Sequence, residues 1–207
     1  MATGMLQQHS DRRVSRRYRG WLIGAALTIE LGLGRPVAAR DGMPSVLLYL
    51  ANQAGVSSDI VCDARQEVIR IYAQIGVRVI WSEHTTGSPK DPLVIVITPI
   101  TGQWVEQTRT FGLAVRGANS SGRLAYIFYD RVHPLAEKHQ IRVACLLGVA
   151  IAHEIGHLLL PYGSHSPSGL MQGEWDNRQF LLARDGLLGF TAQQGELIRA
   201  HLMDTEN

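Results

Sequence analysis

Residues 146–160 set the tightest limit on how this chain folds. Leu146, Leu147, Val149, Ala150, Ile151, Ala152, Ile155, Leu158, Leu159 and Leu160 make the segment apolar on nearly every side. It reads as the later turns of a helix from His139 to Leu160, and a helix that is hydrophobic all round is buried. His153, Glu154 and His157 interrupt this apolar surface. Two imidazoles and a carboxylate are expensive to bury without partners. The fold must therefore put a helix at its centre and satisfy three polar groups on it. Gly156 removes side-chain bulk beside them.

A metal ion meets that requirement. Side chains four residues apart on a helix share a face, one turn above the other, so His153 and His157 can reach one Zn²⁺. Glu154 would sit beside the metal, where it can take a proton from a bound water. This is the chemistry of zinc-dependent hydrolysis. A catalytic zinc site usually has three protein ligands and an open position, so one ligand is still to be supplied. Pro161 ends the helix and Gly163 permits a tight bend, which makes His165 the first metal-capable side chain to return. Glu174, Asp176 and Glu196 are the rival third ligands. His84, His133, His139 and His201 are expected on the surface. Met171 reads, on its own, as a gap-filling core residue.

The remaining elements follow from periodicity. Val46–Leu50 reads as a strand, with a short helix as the alternative. Asp59–Ala73 carries apolar residues at helical spacing and is stopped by Gly76. Val77–Trp81 is a β-branched strand, and residues 83–91 form a loop. Leu93–Ile97 is uniformly apolar, as in a central strand covered on both faces. Phe111–Arg116 and Leu124–Tyr129 flank a polar, Gly-rich stretch and read as two strands joined like a hairpin. Thr191 caps a last helix, with Gln194 as its capping-box partner and Phe190 just before the cap. The expected class is α+β, a mixed sheet packed by helices.

The stretch His153-Glu154-x-x-His157, followed by His165 and Met171, resembles the metzincin clan of zinc peptidases, and within it matrixin-type domains. Ser166, directly after His165, matches the matrixin habit, as does the distance from His157 to Met171. His165 comes two residues later than the clan's third histidine, because Leu160 and Gly163 occupy the clan's usual Gly and His positions. The resemblance is specific over residues 150–171 and extends as architecture over roughly residues 45–203. It implies a zincin-type twisted sheet with an active-site helix and a C-terminal helix. It implies Zn²⁺ on His153, His157 and His165, Glu154 as catalytic base, and Met171 in a methionine turn under the metal. It also implies an edge strand that pairs with extended substrate, for which Phe111–Arg116 is nominated. A pocket for the residue after the cleaved bond should then lie near Met171–Trp175.

Charge is unevenly placed. Arg12, Arg13, Arg16, Arg17 and Arg19 precede an apolar run from Trp21 to Leu33 and the small residues of Pro36–Ala39. That order reads as a secretory signal, residues 1–39, ahead of a catalytic domain, residues 40–207. Glu30 interrupts the apolar run, and an uncleaved membrane anchor is the alternative. Cleavage after Ala39 removes six arginines, Asp11 and Glu30, leaving 14 basic and 16 acidic residues from 20 and 18. Nothing basic then remains to suggest nucleic-acid binding. Cys62 and Cys145 could pair in an oxidising compartment, or be two small buried residues. The expectation is a secreted or periplasmic, monomeric zinc metalloendopeptidase acting on peptides or proteins. The alternative is a zinc-binding domain of the same fold that does not turn over substrate.

Overall fold

The computed structural model describes residues 42–85, 91–100, 111–116, 122–161 and 164–205. The candidate signal segment lies outside them. Five strands form one sheet in the order β2-β1-β3-β5-β4, from β1 (Ser45–Asn52), β2 (Arg78–Ser82), β3 (Leu93–Thr98), β4 (Gly112–Val115) and β5 (Leu124–Phe128). The inner pairings β1–β2, β1–β3 and β3–β5 are parallel, and β4 runs antiparallel to β5 at one edge. The sheet is therefore mixed and the class α+β, as the element order implies. The segment at Val46–Leu50 is a strand with strict alternation, burying Val46, Leu48 and Leu50. In β3, at the middle of the order, three consecutive residues, Ile95, Val96 and Ile97, are buried.

The helices are α1 (Ser58–Gln74), α2 (Tyr129–Lys138), α3 (Val143–Leu159), α4 (Asn177–Arg184) and α5 (Ala192–Asp204). Gly76 stops α1 as expected: it takes φ +68°, and Val77 N–H closes back on Tyr72 O at 3.0 Å. This is the left-handed turn that glycine makes without steric cost. Helices α1 and α3 pack so closely that a Cβ on Gly148 would stand 2.7 Å from Ala64 O. Tyr72 Oη, fully buried, donates to Ala152 O at 3.2 Å across the same interface. Fourteen of the 17 residues of α3 are buried, so it is the central helix its composition requires.

Three elements differ from the sequence reading. The long helix starts at Val143, not His139. Before it, α2 occupies Tyr129–Lys138 and closes with Gln140 at φ +54° and Ile141 N–H on Ala136 O at 2.9 Å. Pro134 inside α2 and its polar surface hide the helix, which buries only Val132 and Ala136. The third, α4, is opened by Asp176, whose side chain accepts from Arg178 N–H at 2.7 Å. Cys145 is buried, Cys62 is exposed, and neither is in a disulfide. Among the described residues no helix is long and apolar enough to cross a membrane.

Candidate metal centre

The site begins where α3 ends. Pro161 disfavours helical backbone at the residue before it. Leu160 accordingly turns extended, with ψ 160°, while its N–H still bonds Gly156 O at 2.9 Å. Arg116 caps the C-terminal end of the helix by donating to Leu160 O. Tyr162 and Gly163, assigned to the tight bend, lie outside the described residues. The chain is described again at Ser164, and His165 has come back to α3.

His153, His157 and His165 offer ligand nitrogens that all lie within 4.8 Å of one another. Among the described residues this is the only group of three or more His, Cys, Asp or Glu side chains so placed. His157 and His165 rings are 4.7 Å apart, and His153 and His165 rings 5.7 Å. Asp176 is instead the N-cap of α4, and Glu174 and Glu196 are exposed and outside the group. His139 departs from its expected surface position, stacking half-buried on Phe180 at 3.8 Å.

The donor set fits zinc on its chemistry. A carbonyl can only accept, so the 2.7 Å contact of His153 Nδ1 with Leu170 O puts the ring proton on Nδ1. The lone pair is then on Nε2, which faces His157 Nε2 at 3.1 Å. Two nitrogens bound to one tetrahedral zinc would stand about 3.3 Å apart. Ser164 Oγ lies 3.4 Å from His157 Nδ1, the other outer partner. Burial pushes His153 down to about 4, against the opposing pull of the Leu170 carbonyl. His157 is pushed down to about 3, by burial first and then by its histidine neighbours and Arg116. Both rings are therefore neutral at physiological pH, which is the ligating state.

Glu154, only 4% exposed, lies against β4, the last strand of the described sheet. A Cβ on Gly112 would stand 2.6 Å from its Cγ and 2.9 Å from its carboxyl carbon, so β4 and the carboxylate are in direct contact. Burial raises its pKa to about 8, opposed by a hydrogen bond from the Ala114 backbone. Met171 is fully buried, and its sulfur would sit 2.5 Å from a Cβ on Gly156. The missing side chain on α3 is thus the space the methionine fills. Near Met171–Trp175, the indole of Trp175 packs at a tilt of 52° against Phe111, ring centroids 4.9 Å apart, and lies 6.2 Å from His153.

Gly112, Ser164 and the Leu170 carbonyl are contributors that the sequence reading did not identify. A backbone carbonyl leaves no residue signature, and Gly112 becomes meaningful only once β4 is known to meet Glu154.

The fold matches a solved structure, archaemetzincin from Methanopyrus kandleri, with a TM-score of 0.50 and 18% identity, over 77% of this chain and 97% of that one. No family model and no curated protein matches the chain. The architecture is archaemetzincin-like, and its histidine triad is consistent with a zinc site in such a fold.

Proposed function

We propose that this chain is a zinc-dependent metalloendopeptidase, with zinc held by His153, His157 and His165 and Glu154 as general base. One observation carries the reading: three imidazoles converge on one point beside a buried carboxyl group at the β4 edge of the described sheet. A zinc site of purely structural kind closes its fourth position and needs no base beside it. When bound, zinc would supply Lewis-acid polarisation of a carbonyl and of a water molecule. Glu154 holds the proton taken from that water and passes it to the leaving amine. Strand β4 is the last strand of the described sheet, and an extended peptide pairing along it would gain affinity with little sequence selectivity. The spacing from His157 to Met171 supports a matrixin-like arrangement of the loop between them.

The basic, apolar, small-residue order of residues 1–39 supports export, with cleavage after Ala39. N-terminal sequencing of the exported protein tests this: a start at Arg40 agrees, and a chain retained with its first residues intact overturns it.

The activity is tested with the zinc-loaded protein on a mixture of unstructured peptides, beside Glu154→Gln. Cleavage by the parent and its loss in the variant, with zinc retained in both, is the expected result. Zinc in both proteins and cleavage by neither would make the chain a zinc-binding module instead.

A further inference from the structure

Tyrosine, tryptophan and cysteine aside, three polar side chains are buried among the described residues: Glu154, Gln179 and Gln194. Glu154 belongs to the site above. The two glutamines occupy the same position on two different helices, the third residue of a capping box. Gln179 Oε1 accepts from Asp176 N–H at 3.2 Å at the start of α4, and Gln194 Oε1 accepts from Thr191 N–H at 2.9 Å at the start of α5. Those bonds fix each amide's orientation, because only the oxygen can accept from a backbone N–H. The NH₂ of each side chain is therefore turned outward.

Both turned-out amides reach the same short loop. Gln194 Nε2 donates to Ser166 Oγ at 3.0 Å. Gln179 Nε2 donates to Gln172 Oε1. Ser166 and Gln172 are themselves paired as an isolated bridge, with Ser166 N–H on Met171 O at 2.9 Å. They form the neck of the loop, beside His165 on one strand and Met171 on the other. The acceptors are oriented for these roles: Ser166 Oγ donates onward to Ser168 O at 2.8 Å, and Gln172 Nε2 to Glu174 O at 2.8 Å. A glutamate would serve the capping box equally well. It would have no proton to offer the loop.

We propose that Gln194 and Gln179 are positioning residues for the metal centre, whose amides clamp the neck of the His165–Met171 loop from its two sides. This rests on the zinc reading above. Each helix cap thereby fixes where the third ligand and the supporting methionine stand. Buried amides with both ends satisfied rigidify what they join.

The test removes the loop's acceptors and leaves both caps whole. Full-length Ser166→Ala and Gln172→Ala proteins are loaded with zinc and challenged with a chelating dye. Each should release zinc about tenfold faster than the parent, the low end of what loosening the support of a metal ligand costs, and Ser166→Thr should restore the parent rate. Release within about twofold of the parent in both alanine variants overturns the proposal. Amide hydrogen exchange of the metal-free proteins gives a second readout. The Ser166 and Gln172 amides should exchange about tenfold faster in the alanine variants, with α4 and α5 protection retained. If the parent takes up no zinc, the zinc reading falls by itself and exchange decides the clamp. Parent-like exchange at both amides then overturns it.

Discussion

Glu154 is nearly inaccessible to water and touches the backbone of an edge strand, so burial makes its carboxyl hold a proton more tightly than a free one. Replacing Glu154 by Gln removes the base and keeps the shape. The expected result is a loss of about 10²–10⁴-fold in peptide hydrolysis, with zinc content unchanged by elemental analysis. Gly112 gives a second prediction at this scale. Any Cβ there would meet Tyr126 O at 2.4 Å as well as the Glu154 side chain. Backbone oxygen cannot swing aside, so Gly112→Ala should lower stability by about 1–3 kcal/mol, read by denaturant unfolding, and reduce activity by displacing the base. The ligands themselves were legible, because four-residue spacing fixes two imidazoles on one helical face in any fold. The orienting Leu170 carbonyl was not, since every residue carries one.

At the scale of elements, α3 and the methionine loop are built as one joint. The apolar run announced α3 as buried, and Thr191 with Gln194 announced α5. Helix α4 carries the same cap pattern in Asp176 and Gln179, but it has no strong apolar stripe, and the sequence reading assigned no element there. The start of α3 was misplaced because His139 to Ile141 belong to a left-handed turn closing α2, and Gln140 is not a residue type that advertises such a turn. Across the joint, Gly156 receives Met171 and Phe190, whose ring atom would stand 2.9 Å from an added Cβ. Gly156→Ala should therefore destabilise by about 1–3 kcal/mol through overpacking. Adding Met171→Ala should recover part of that loss if the two sites are coupled, and additive losses in a double-mutant cycle would contradict the contact.

For the whole molecule, the buried groups of the site fix how metal-free stability varies with pH. His153 and His157 fall to about 4 and about 3 in the folded chain, from an ordinary 6.5. The unfolded chain thus binds more protons below pH 6.5, and stability rises with pH up to that point. Glu154 is raised to about 8 from an ordinary 4.5, so the folded chain keeps a proton that the unfolded chain releases, and stability falls with pH across that window. Two histidines outweigh one carboxyl up to pH 6.5, and from there to about pH 8 the carboxyl dominates. Thermal unfolding of the chelated protein should therefore be highest near pH 6.5, and Glu154→Gln should abolish the decline between there and about pH 8. Saturating zinc should raise the unfolding temperature by binding the folded chain alone. The measurement that bears most directly on the whole account is the zinc content of the purified full-length protein beside His165→Ala, by elemental analysis without added metal. About one zinc per chain in the parent, and a marked loss in the variant, is the predicted result. A folded parent that carries no zinc and takes up none when it is supplied would contradict the three-histidine centre and the peptidase reading built on it.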